Sequence, residues 1–325
     1  MQNLPKRLLI KTYDHPSGLL YLGLTLKKEL EDRGHQVWLI PKGRIIKENG
    51  IYRKEFHSHN SQSYGFAIFD SGRDHQQQIA SVISKYKAEA LISLETLMES
   101  SQWIDGIGIP VIDVPMIEWV NPRLINLYNK FKDIWAVTDF TKETLNNAGL
   151  RNVSRVSWKF TDSNLFYPGR KLDNIVFYHQ GSLNPNFSSK NTRLVISAFS
   201  RAAIIYPDIS LNITGVKKSP LDSKYNIPQV NIIEKDLTRE EVGQIYRESS
   251  CIIAPSSQEG LGLSLYEAKA SGCDIITTNA APMNEIGTRF LCEVASWSKS
   301  NKLVSPAIIT EDSLLSQIKK YIGNN

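Results

Sequence analysis

The stretch Ser256–Gly272, SSQEGLGLSLYEAKASG, carries two glutamates with a pair of glycines directly after the first and an alanine-rich tail. The apolar run before it, Cys251–Pro255, predicts a strand, so the stretch reads as a turn followed by a helix. The first turn of such a helix offers unpaired backbone N–H groups and the positive end of the helix dipole. Gly260 and Gly262 let the backbone approach a ligand closely, so the segment suits an anion such as a pyrophosphate.

The two glutamates of this stretch suit different parts of one ligand. Glu267 lies about one turn into the predicted helix, where a carboxylate accepts hydrogen bonds from ribose hydroxyls. Glu259 lies in the turn, where we expect it to face the group that the ligand carries beyond its phosphates. A simpler interpretation also fits, in which Glu259 stabilises the helix N-terminus electrostatically and Glu267 is merely exposed. The stretch alone leaves both interpretations open.

Apolar runs alternate with helical patterns along the chain, which predicts parallel sheets covered by helices on both faces. The first half contains a predicted helix, Leu19–Gly34, and strands at Arg7–Tyr13, Gln36–Ile40, Gly65–Phe69, Ala90–Leu94, Pro110–Val114, Ile134–Thr138 and Val153–Ser157. The pattern then restarts, with strands at Ile175–His179, Ile209–Thr214, Cys251–Pro255 and Asp274–Thr278 and helices at Asn191–Tyr206, Arg239–Ser249 and Ser313–Ile322. We therefore expect two doubly wound sheets joined near residue 170, with ligands bound beyond the carboxyl ends of the strands.

The composition is that of a soluble globular protein, with 325 residues of which 41% are hydrophobic and 22% are charged. This length favours two domains. The apolar run near the N-terminus is too short for a signal peptide, and no stretch approaches the length of a membrane span. The three cysteines have no C-x-x-C spacing, which indicates buried thiols in a reducing compartment. We expect a cytoplasmic protein, with peripheral attachment to a membrane as an alternative.

The net charge of +5 is modest, and a basic run, PKGRIIKENGIYRK (Pro41–Lys54), contributes to it. Such a run is typical of a solvated loop. It also fits a binding surface for an acidic partner, such as lipid headgroups, nucleic acid or an anionic glycan.

The segment Glu259–Gly272 resembles the E-G-x-G-x-x-x-x-E-A-x-A-x-G signature of family 4 (group 1) glycosyltransferases, which have the GT-B fold. Other segments are similar to the same family, namely Arg33–Val37, Thr138–Leu150, Thr161–Pro168, Lys190–Phe199 and Asp236–Ser256. The similarity is strong in the second half of the chain and weak across residues 45 to 130. It implies an α/β protein with two Rossmann-like, doubly wound parallel-sheet domains facing a central cleft.

The resemblance also implies where the domains begin and end and which substrate each of them binds. Residues 1–168 would form the N-terminal domain on the acceptor side, and residues 169–310 would form the C-terminal domain that binds a nucleotide sugar. Residues 311–325 would form a C-terminal helix that packs back on the N-terminal domain.

The donor site implied by the resemblance lies in the second domain. Its residues would be Gly181, Ser182, Lys190, Glu234, Glu259, Gly260, Leu261, Gly262, Leu263 and Glu267. Glu259 and Lys190 would be catalytic, with Glu259 on the donor sugar and Lys190 on the departing phosphate. The amides of residues 260–262 would bind the diphosphate, Glu267 would hold the ribose, and Glu234 stands where relatives hold the nucleobase.

One donor-side position departs from the family pattern. Ser182 stands where relatives usually have an arginine, and a hydroxyl does not replace the charge of a guanidinium at a phosphate. The loop from Leu183 to Lys190 also looks longer than usual. Either Lys190 supplies most of the positive charge at the phosphate, or a residue such as Arg193 contributes part of that charge.

The acceptor side implied by the resemblance lies in the first domain. Gly18 sits at the tip of the first strand, and Glu118 and Trp119 follow a later strand end, where many relatives carry a histidine. Trp119 would be a platform for a sugar; a core tryptophan beside an exposed glutamate is the alternative. The basic run suggests an acceptor that is anionic or is carried on an anionic membrane surface, with nucleic acid as a minor alternative.

The activity implied by the resemblance is transfer of a sugar from a nucleotide diphosphate to an acceptor hydroxyl, with retention of anomeric configuration. No cofactor is expected, and the absence of a D-x-D triplet from the sequence predicts that no metal bridges the diphosphate. Two other classes stay open. One is another enzyme of the same fold, such as a nucleotide-sugar epimerase or a phosphorylase, and the other is a catalytically weak binding protein.

Overall fold

The computed structural model describes residues 4–41, 44–48, 51–55, 66, 75–95, 101–182, 189–217 and 227–325. The chain divides into two compact units, Met1–Phe160 and Thr161–Asn325. The domain boundary expected after residue 168 therefore lies within the second unit, shortly after its start.

The first unit is an α/β layer built on one parallel sheet. Its elements are β1 (Arg7–Thr12), α1 (Gly18–Asp32), β2 (Gln36–Pro41), β3 (Arg44–Glu48), β4 (Ile51–Glu55), α2 (His75–Tyr86), β5 (Ala90–Leu94), β6 (Val111–Val114), β7 (Asp133–Ala136), α3 (Asp139–Asn147) and β8 (Val153–Arg155), with 3₁₀ turns at Ser101–Gly106, Ile117–Trp119 and Pro122–Lys130. The strand order is β2-β1-β5-β6-β7-β8, and every pair in this sheet is parallel. The order reverses between β1 and β5, as in a doubly wound sheet.

The basic run Pro41–Lys54 differs from the solvated loop that the sequence suggested. The strands β3 and β4 form an antiparallel hairpin, in which Arg44 pairs with Glu55 and Glu48 pairs with Ile51. Isoleucine and tyrosine stand among the charged residues of this run, and these residue types favour strands. Lys42 lies outside the described residues.

The second unit repeats the α/β plan. Its elements are β9 (Val176–Gln180), α4 (Thr192–Ile205), β10 (Ser210–Thr214), β11 (Val230–Ile233), α5 (Arg239–Glu248), β12 (Cys251–Ala254), α6 (Leu263–Ala270), β13 (Asp274–Thr278), α7 (Met283–Ile286), β14 (Phe290–Cys292), β15 (Val294–Trp297), β16 (Ala307–Ile309) and α8 (Glu311–Ile322). The main sheet has the order β11-β10-β9-β12-β13-β14 and is parallel throughout, while β15 and β16 form a separate antiparallel hairpin. Here the order reverses between β9 and β12.

The C-terminal helix α8 belongs to the core of the second unit. Its buried residues Leu314, Leu315, Ile318 and Tyr321 join one apolar cluster with α4 and the central strands. The Tyr321 ring packs edge-on against Phe177 and Phe290. The apolar face of this helix is therefore covered by its own unit, and the expectation that the helix packs back on the first domain stays a prediction.

Local sequence signals explain where several helices begin. Thr238 and Glu241 form a reciprocal capping box at the start of α5. The side chains of Ser17 and Thr310 accept backbone N–H groups at the starts of α1 and α8. Each of these caps satisfies a donor that the first helical turn leaves unpaired.

Most strands predicted from apolar runs are present with nearly the same bounds. Of the predicted strand Gly65–Phe69, only Phe66 is described, as an isolated bridge to Leu39. Within the part of the chain that the structure describes, no helix combines the length and the apolar character needed to cross a membrane.

Candidate functional site

The candidate site lies at the switch point of the second sheet, where strand order reverses between β9 and β12. Gly181 and Ser182 follow the carboxyl end of β9, and residues 255–262 follow the carboxyl end of β12. Parallel strands end at the same edge of a sheet, and the crevice at a switch point is where open α/β sheets bind ligands. The order of the strands thus brings two distant loops together.

Lys190 and Glu259, the two residues expected to be catalytic, form an ion pair at this edge. The Nζ atom of Lys190 donates to Oε1 of Glu259 at 2.6 Å. The side chains are 28% and 15% exposed, respectively, so both remain open to a ligand while being partly shielded from water. A charge-assisted hydrogen bond of this length fixes both groups in direction as well as in distance.

Backbone contacts hold the two loops that carry this ion pair. The Ser257 N–H donates to the Ser189 carbonyl at 2.8 Å. Asn191, which immediately precedes α4, lies in the left-handed region with φ of 53°, and its side-chain amide donates to the Pro255 carbonyl at 2.7 Å. Asparagine tolerates this conformation better than most residues. The loops after β9 and β12 are therefore joined directly, next to Lys190 and Glu259.

A buried histidine that the sequence analysis did not select stands behind the site. The ring of His179 contacts the Ile253 carbonyl through Nδ1 at 2.7 Å and the Thr192 hydroxyl through Nε2 at 3.0 Å. Burial lowers the pKa of His179 to about 4, and nearby Lys190 adds to this effect. The ring is thus neutral at pH 7. Nδ1–H donates to the carbonyl, which can only accept, so Nε2 carries no hydrogen and faces the Thr192 hydroxyl, which also donates to the Ser182 carbonyl at 3.1 Å.

The glycine positions of the site have two different physical causes. Gly262 immediately precedes α6 and has φ of +75°, a conformation that a residue with Cβ rarely takes. A Cβ at Gly181 would lie 2.8 Å from Val216 Cγ1 and 2.9 Å from Thr192 Oγ1. The glycine at the end of β9 is therefore required by packing within the protein, in addition to the ligand approach that the resemblance implies.

The helix start expected to bind a diphosphate is present. Leu263 is the first residue of α6, Gly262 provides no capping side chain, and Leu261 is buried. The backbone at residues 260–262 leads from β12 into this helix turn. This arrangement leaves first-turn N–H groups and the positive end of the dipole available for an anion.

Glu267 is buried, with only 2% of its side chain exposed, so the simpler interpretation of an exposed residue is wrong. Its Oε1 accepts a hydrogen bond from Nη2 of Arg239 at 2.5 Å. Burial raises the pKa of the Glu267 carboxyl, and the Arg239 guanidinium opposes that rise. The sequence analysis did not select Arg239, because its partner is distant in sequence and no motif contains both residues.

The remaining donor-side residues do not all gather at the switch point. Ser182 lies at the switch point, and its N–H donates to the Thr192 hydroxyl at 2.9 Å. Glu234 is exposed and follows the edge strand β11, which is separated from β12 by β10 and β9. Strands in a sheet are spaced at about 4.8 Å, so the distance between β11 and β12 is about 14 Å. Arg193 is exposed on the first turn of α4.

The three acceptor-side residues lie beyond strand ends of the first unit, as expected. Gly18 is the first residue of α1, just after β1. Glu118 and Trp119 share a 3₁₀ turn after β6, and both are partly buried. Their placement agrees with the sequence analysis, while their roles stay predictions.

A buried polar row in the first unit was also missed by sequence analysis. Lys11, Ser93 and Asp113 are fully buried and occupy matching register positions on β1, β5 and β6. Burial raises the pKa of the neighbouring Tyr128 hydroxyl, and the Asp113 and Glu95 charges raise it further. Each of the three residues follows apolar residues in a run that reads as a core strand, so sequence periodicity gave no signal for the row.

Residues 164–321 match the family model described as glycosyl transferases group 1. The matched range lies within the second unit and contains all the donor-side residues. No curated protein sequence matches the chain. The family match, together with the signature Glu259–Gly272, supports a group 1 glycosyltransferase.

Solved structures with the same architecture cover nearly the whole chain. TarM aligns with a TM-score of 0.70 at 11% identity, over 99% of this chain and 93% of the other. Sucrose-phosphate synthase from Thermosynechococcus elongatus gives 0.68 at 11% identity, over 98% and 90%. A putative UDP-N-acetylglucosamine 2-epimerase from Listeria monocytogenes gives 0.62 at 11% identity, over 99% and 89%. The fold is therefore GT-B, and because it also serves an epimerase, the fold alone does not assign an activity.

Proposed function

We propose that the protein is a retaining glycosyltransferase of family 4, which transfers a sugar from a nucleotide diphosphate to an acceptor hydroxyl. The observation that carries this proposal is the Lys190–Glu259 ion pair at the switch point, beside the glycine-led start of α6. A cation and a helix N-terminus suit a diphosphate, and an adjacent carboxylate suits the hydroxyls of the attached sugar.

The proposed donor contacts follow from the chemistry of each group. The amides at Gly260, Leu261 and Gly262 and the first turn from Leu263 bind the diphosphate. Lys190 has three N–H donors, so it holds Glu259 with one and reaches a phosphate oxygen with another. Glu267 accepts a hydrogen bond from a ribose hydroxyl. Glu259 accepts hydrogen bonds from the sugar and fixes its orientation.

The proposed reaction develops negative charge on the leaving diphosphate and positive charge on the sugar carbon. Lys190 and the α6 N-terminus stabilise the first charge, while the Glu259 carboxylate lies close to the second. Groups that are already fixed before the reaction stabilise such charges efficiently, because they need no reorganisation. The leaving phosphate takes the acceptor proton, so no separate strong base is needed. The absence of a D-x-D triplet supports a reaction without a bridging metal.

We propose that the first unit binds the acceptor, through Gly18, Glu118 and Trp119. The basic hairpin β3–β4 supports an acceptor that is anionic or is carried on an anionic surface, and a lipid-linked glycan is our main candidate. Nucleic acid is the minor alternative.

The first experiment is a thermal-shift panel of nucleotide sugars, because a ligand that binds only the folded state raises the apparent stability. Sugars that raise the melting temperature are then incubated with glycan and glycolipid acceptors, with and without EDTA, and the anomeric configuration of the product is determined by NMR. A product of retained configuration that forms in EDTA supports the proposal. Inverted configuration or loss of activity in EDTA overturns that part of it.

The same incubation separates the other classes. An epimerase converts the nucleotide sugar and releases nucleotide diphosphate when no acceptor is present. A binding protein shifts the melting temperature but gives no turnover with any acceptor. Either result would replace the transferase assignment.

A further inference from the structure

Arg239 occupies an electrostatically unfavourable position on its own helix. It is the first residue of α5, where the helix dipole places positive partial charge. Its guanidinium reaches 2.5 Å from the buried Glu267 carboxylate on α6, so the partner carboxylate offsets the unfavourable position. The side chain is 19% exposed, and the contact is therefore shielded from bulk water.

Aromatic packing holds the guanidinium in place. The Cζ atom of Arg239 lies 4.6 Å from the centroid of the Phe166 ring. The Phe166 ring packs edge-on against Tyr246 at 5.6 Å, and Tyr246 packs edge-on against Tyr178 at 4.9 Å. Phe166 is itself held by these ring contacts, so the arginine that stacks on it has little freedom to leave the carboxylate.

The groups that act on the Glu267 carboxyl come from two elements besides α6 and from the segment that precedes α4. Arg239 and Tyr246 belong to α5, Tyr178 belongs to β9, and Lys190 precedes α4. Arg239 forms the direct charged contact, while Lys190 acts over a longer range.

We propose that Arg239 is a positioning residue for nucleotide binding, which holds the Glu267 carboxylate ionised and directed so that its second oxygen accepts a nucleotide hydroxyl. This inference rests on the proposed donor role of Glu267. A buried carboxylate without a charged partner becomes protonated near neutral pH, and it then loses the stronger, charge-assisted hydrogen bond. Arg239 thus acts through Glu267 and does not contact the nucleotide.

The test measures the affinity of UDP, GDP and ADP for the full-length protein by calorimetry, between about pH 5.5 and pH 8.5. Arg239→Met keeps the stem of the side chain on Phe166 and removes the charge, whereas Arg239→Lys keeps the charge. Arg247→Met is the matched control. Arg247 lies on the same helix, stacks on Tyr167 at 4.6 Å and donates to the Leu165 carbonyl.

We expect affinity for the best-binding nucleotide to fall about tenfold in Arg239→Met at pH 6. Relative to wild type, the pH at which affinity falls should move upward by about one to three units. Arg239→Lys restores part of the affinity, and Arg247→Met behaves like wild type. If Arg239→Met binds nucleotide with the same affinity and the same pH dependence as wild type, the inference about Arg239 is overturned, while the proposed function is not affected. If wild type binds none of the three nucleotides, the proposed function and this inference fall together.

A double-mutant cycle with Glu267→Gln completes the test. It also covers the case in which Arg239→Met alone does not fold, because Glu267→Gln removes the buried carboxylate charge that Arg239→Met leaves unpaired. In the Glu267→Gln background, Arg239→Met should leave nucleotide affinity unchanged and independent of pH. An additional loss of affinity in the double variant overturns the inference, because it would mean that Arg239 acts on the nucleotide independently of Glu267.

Discussion

Lys190 Nζ lies 2.6 Å from Glu259 Oε1, although 69 residues separate the two along the chain. One residue precedes α4 and the other precedes α6, so each comes from a different βα unit of the second sheet. The bonds from Ser257 to Ser189 and from Asn191 to Pro255 hold these units together beside the ion pair. The pair therefore has a fixed geometry on which its proposed role in sugar transfer can be tested.

Lys190→Ala should lower the rate of sugar transfer by about a hundredfold, while the protein stays folded. The amine is proposed to stabilise charge that grows on the leaving diphosphate, so its loss raises the barrier more than it weakens substrate binding. Steady-state kinetics with circular dichroism as a folding check provide the measurement. Lys269→Ala, an exposed lysine on α6, is the control.

The substitution Ser182→Arg in the Lys190→Ala background should restore part of that rate, because it adds a cation after β9. A normal rate in Lys190→Ala would mean that this lysine does not face the phosphate. It would also return the ion pair to a purely structural role.

Glu259→Gln should reduce turnover much more than it reduces the affinity for nucleoside diphosphate. The side chain is proposed to contact the sugar, which the nucleoside diphosphate lacks. Turnover and nucleotide affinity are measured separately, with Glu143→Gln as an exposed control in the first unit. Equal losses in both quantities, or no loss in either, would contradict the assignment.

The protein should lose stability as the pH falls from about 6.5 to about 4, partly through His179. The folded state holds this ring neutral, whereas the unfolded state binds a proton at ordinary histidine pKa, so acid favours unfolding. The full effect is about 3 kcal/mol, reached at or below the lower end of this range. Urea unfolding of wild type and His179→Gln at several pH values provides the measurement.

The gap in unfolding free energy between wild type and His179→Gln should narrow as the pH falls. A gap that is the same at pH 7 and pH 5 would show that the titration of this ring does not cause the acid sensitivity.

Removing the charge of the basic run should weaken acceptor binding and reduce its dependence on salt. The variant replaces five residues by glutamine, namely Lys42, Arg44, Lys47, Arg53 and Lys54. Charges in contact with water act over about 8–10 Å at physiological salt, so an attraction between this run and an anionic acceptor should weaken at high salt. Apparent acceptor affinity is measured at low and high salt, with donor affinity as the internal check.

A control of equal charge change replaces five exposed basic residues of the same unit, namely Lys85, Lys87, Arg123, Lys132 and Arg151. If both variants lose acceptor affinity to the same extent, the loss is caused by the change in net charge and not by the position of the hairpin. If neither changes acceptor affinity, the hairpin does not bind the acceptor.

The fold was predictable because its strands are short apolar runs and its helices carry regular patterns. The segments Cys251–Pro255 and Asp274–Thr278 are examples in which composition alone defines a buried strand. The signature Glu259–Gly272 identified the turn and helix α6, since glycines and helix periodicity are local properties. The hairpins β3–β4 and β15–β16 were not predicted, because charged or polar residues interrupt their apolar pattern.

The partners of the site residues could not be predicted, since pairing is decided by the order of strands in the sheet. Nothing near Arg239 in sequence indicates that it reaches Glu267, and nothing near His179 indicates its bonds to Ile253 and Thr192. The environment of Glu267 has the same cause, because Tyr178 and Tyr246, which interact electrostatically with this carboxylate, come from a different strand and a different helix.

The central position of β9 and β12 has a consequence for how the protein acquires activity during folding. Their pairing, in which Phe177 lies beside Cys251, joins segments that are far apart in sequence, and such contacts form slowly because a long loop must close first. Lys190 and Glu259 meet only once this pairing exists. The proposed nucleotide binding should therefore lag behind helix formation during refolding, and a nascent chain that has not yet emerged past residue 259 lacks the proposed donor site.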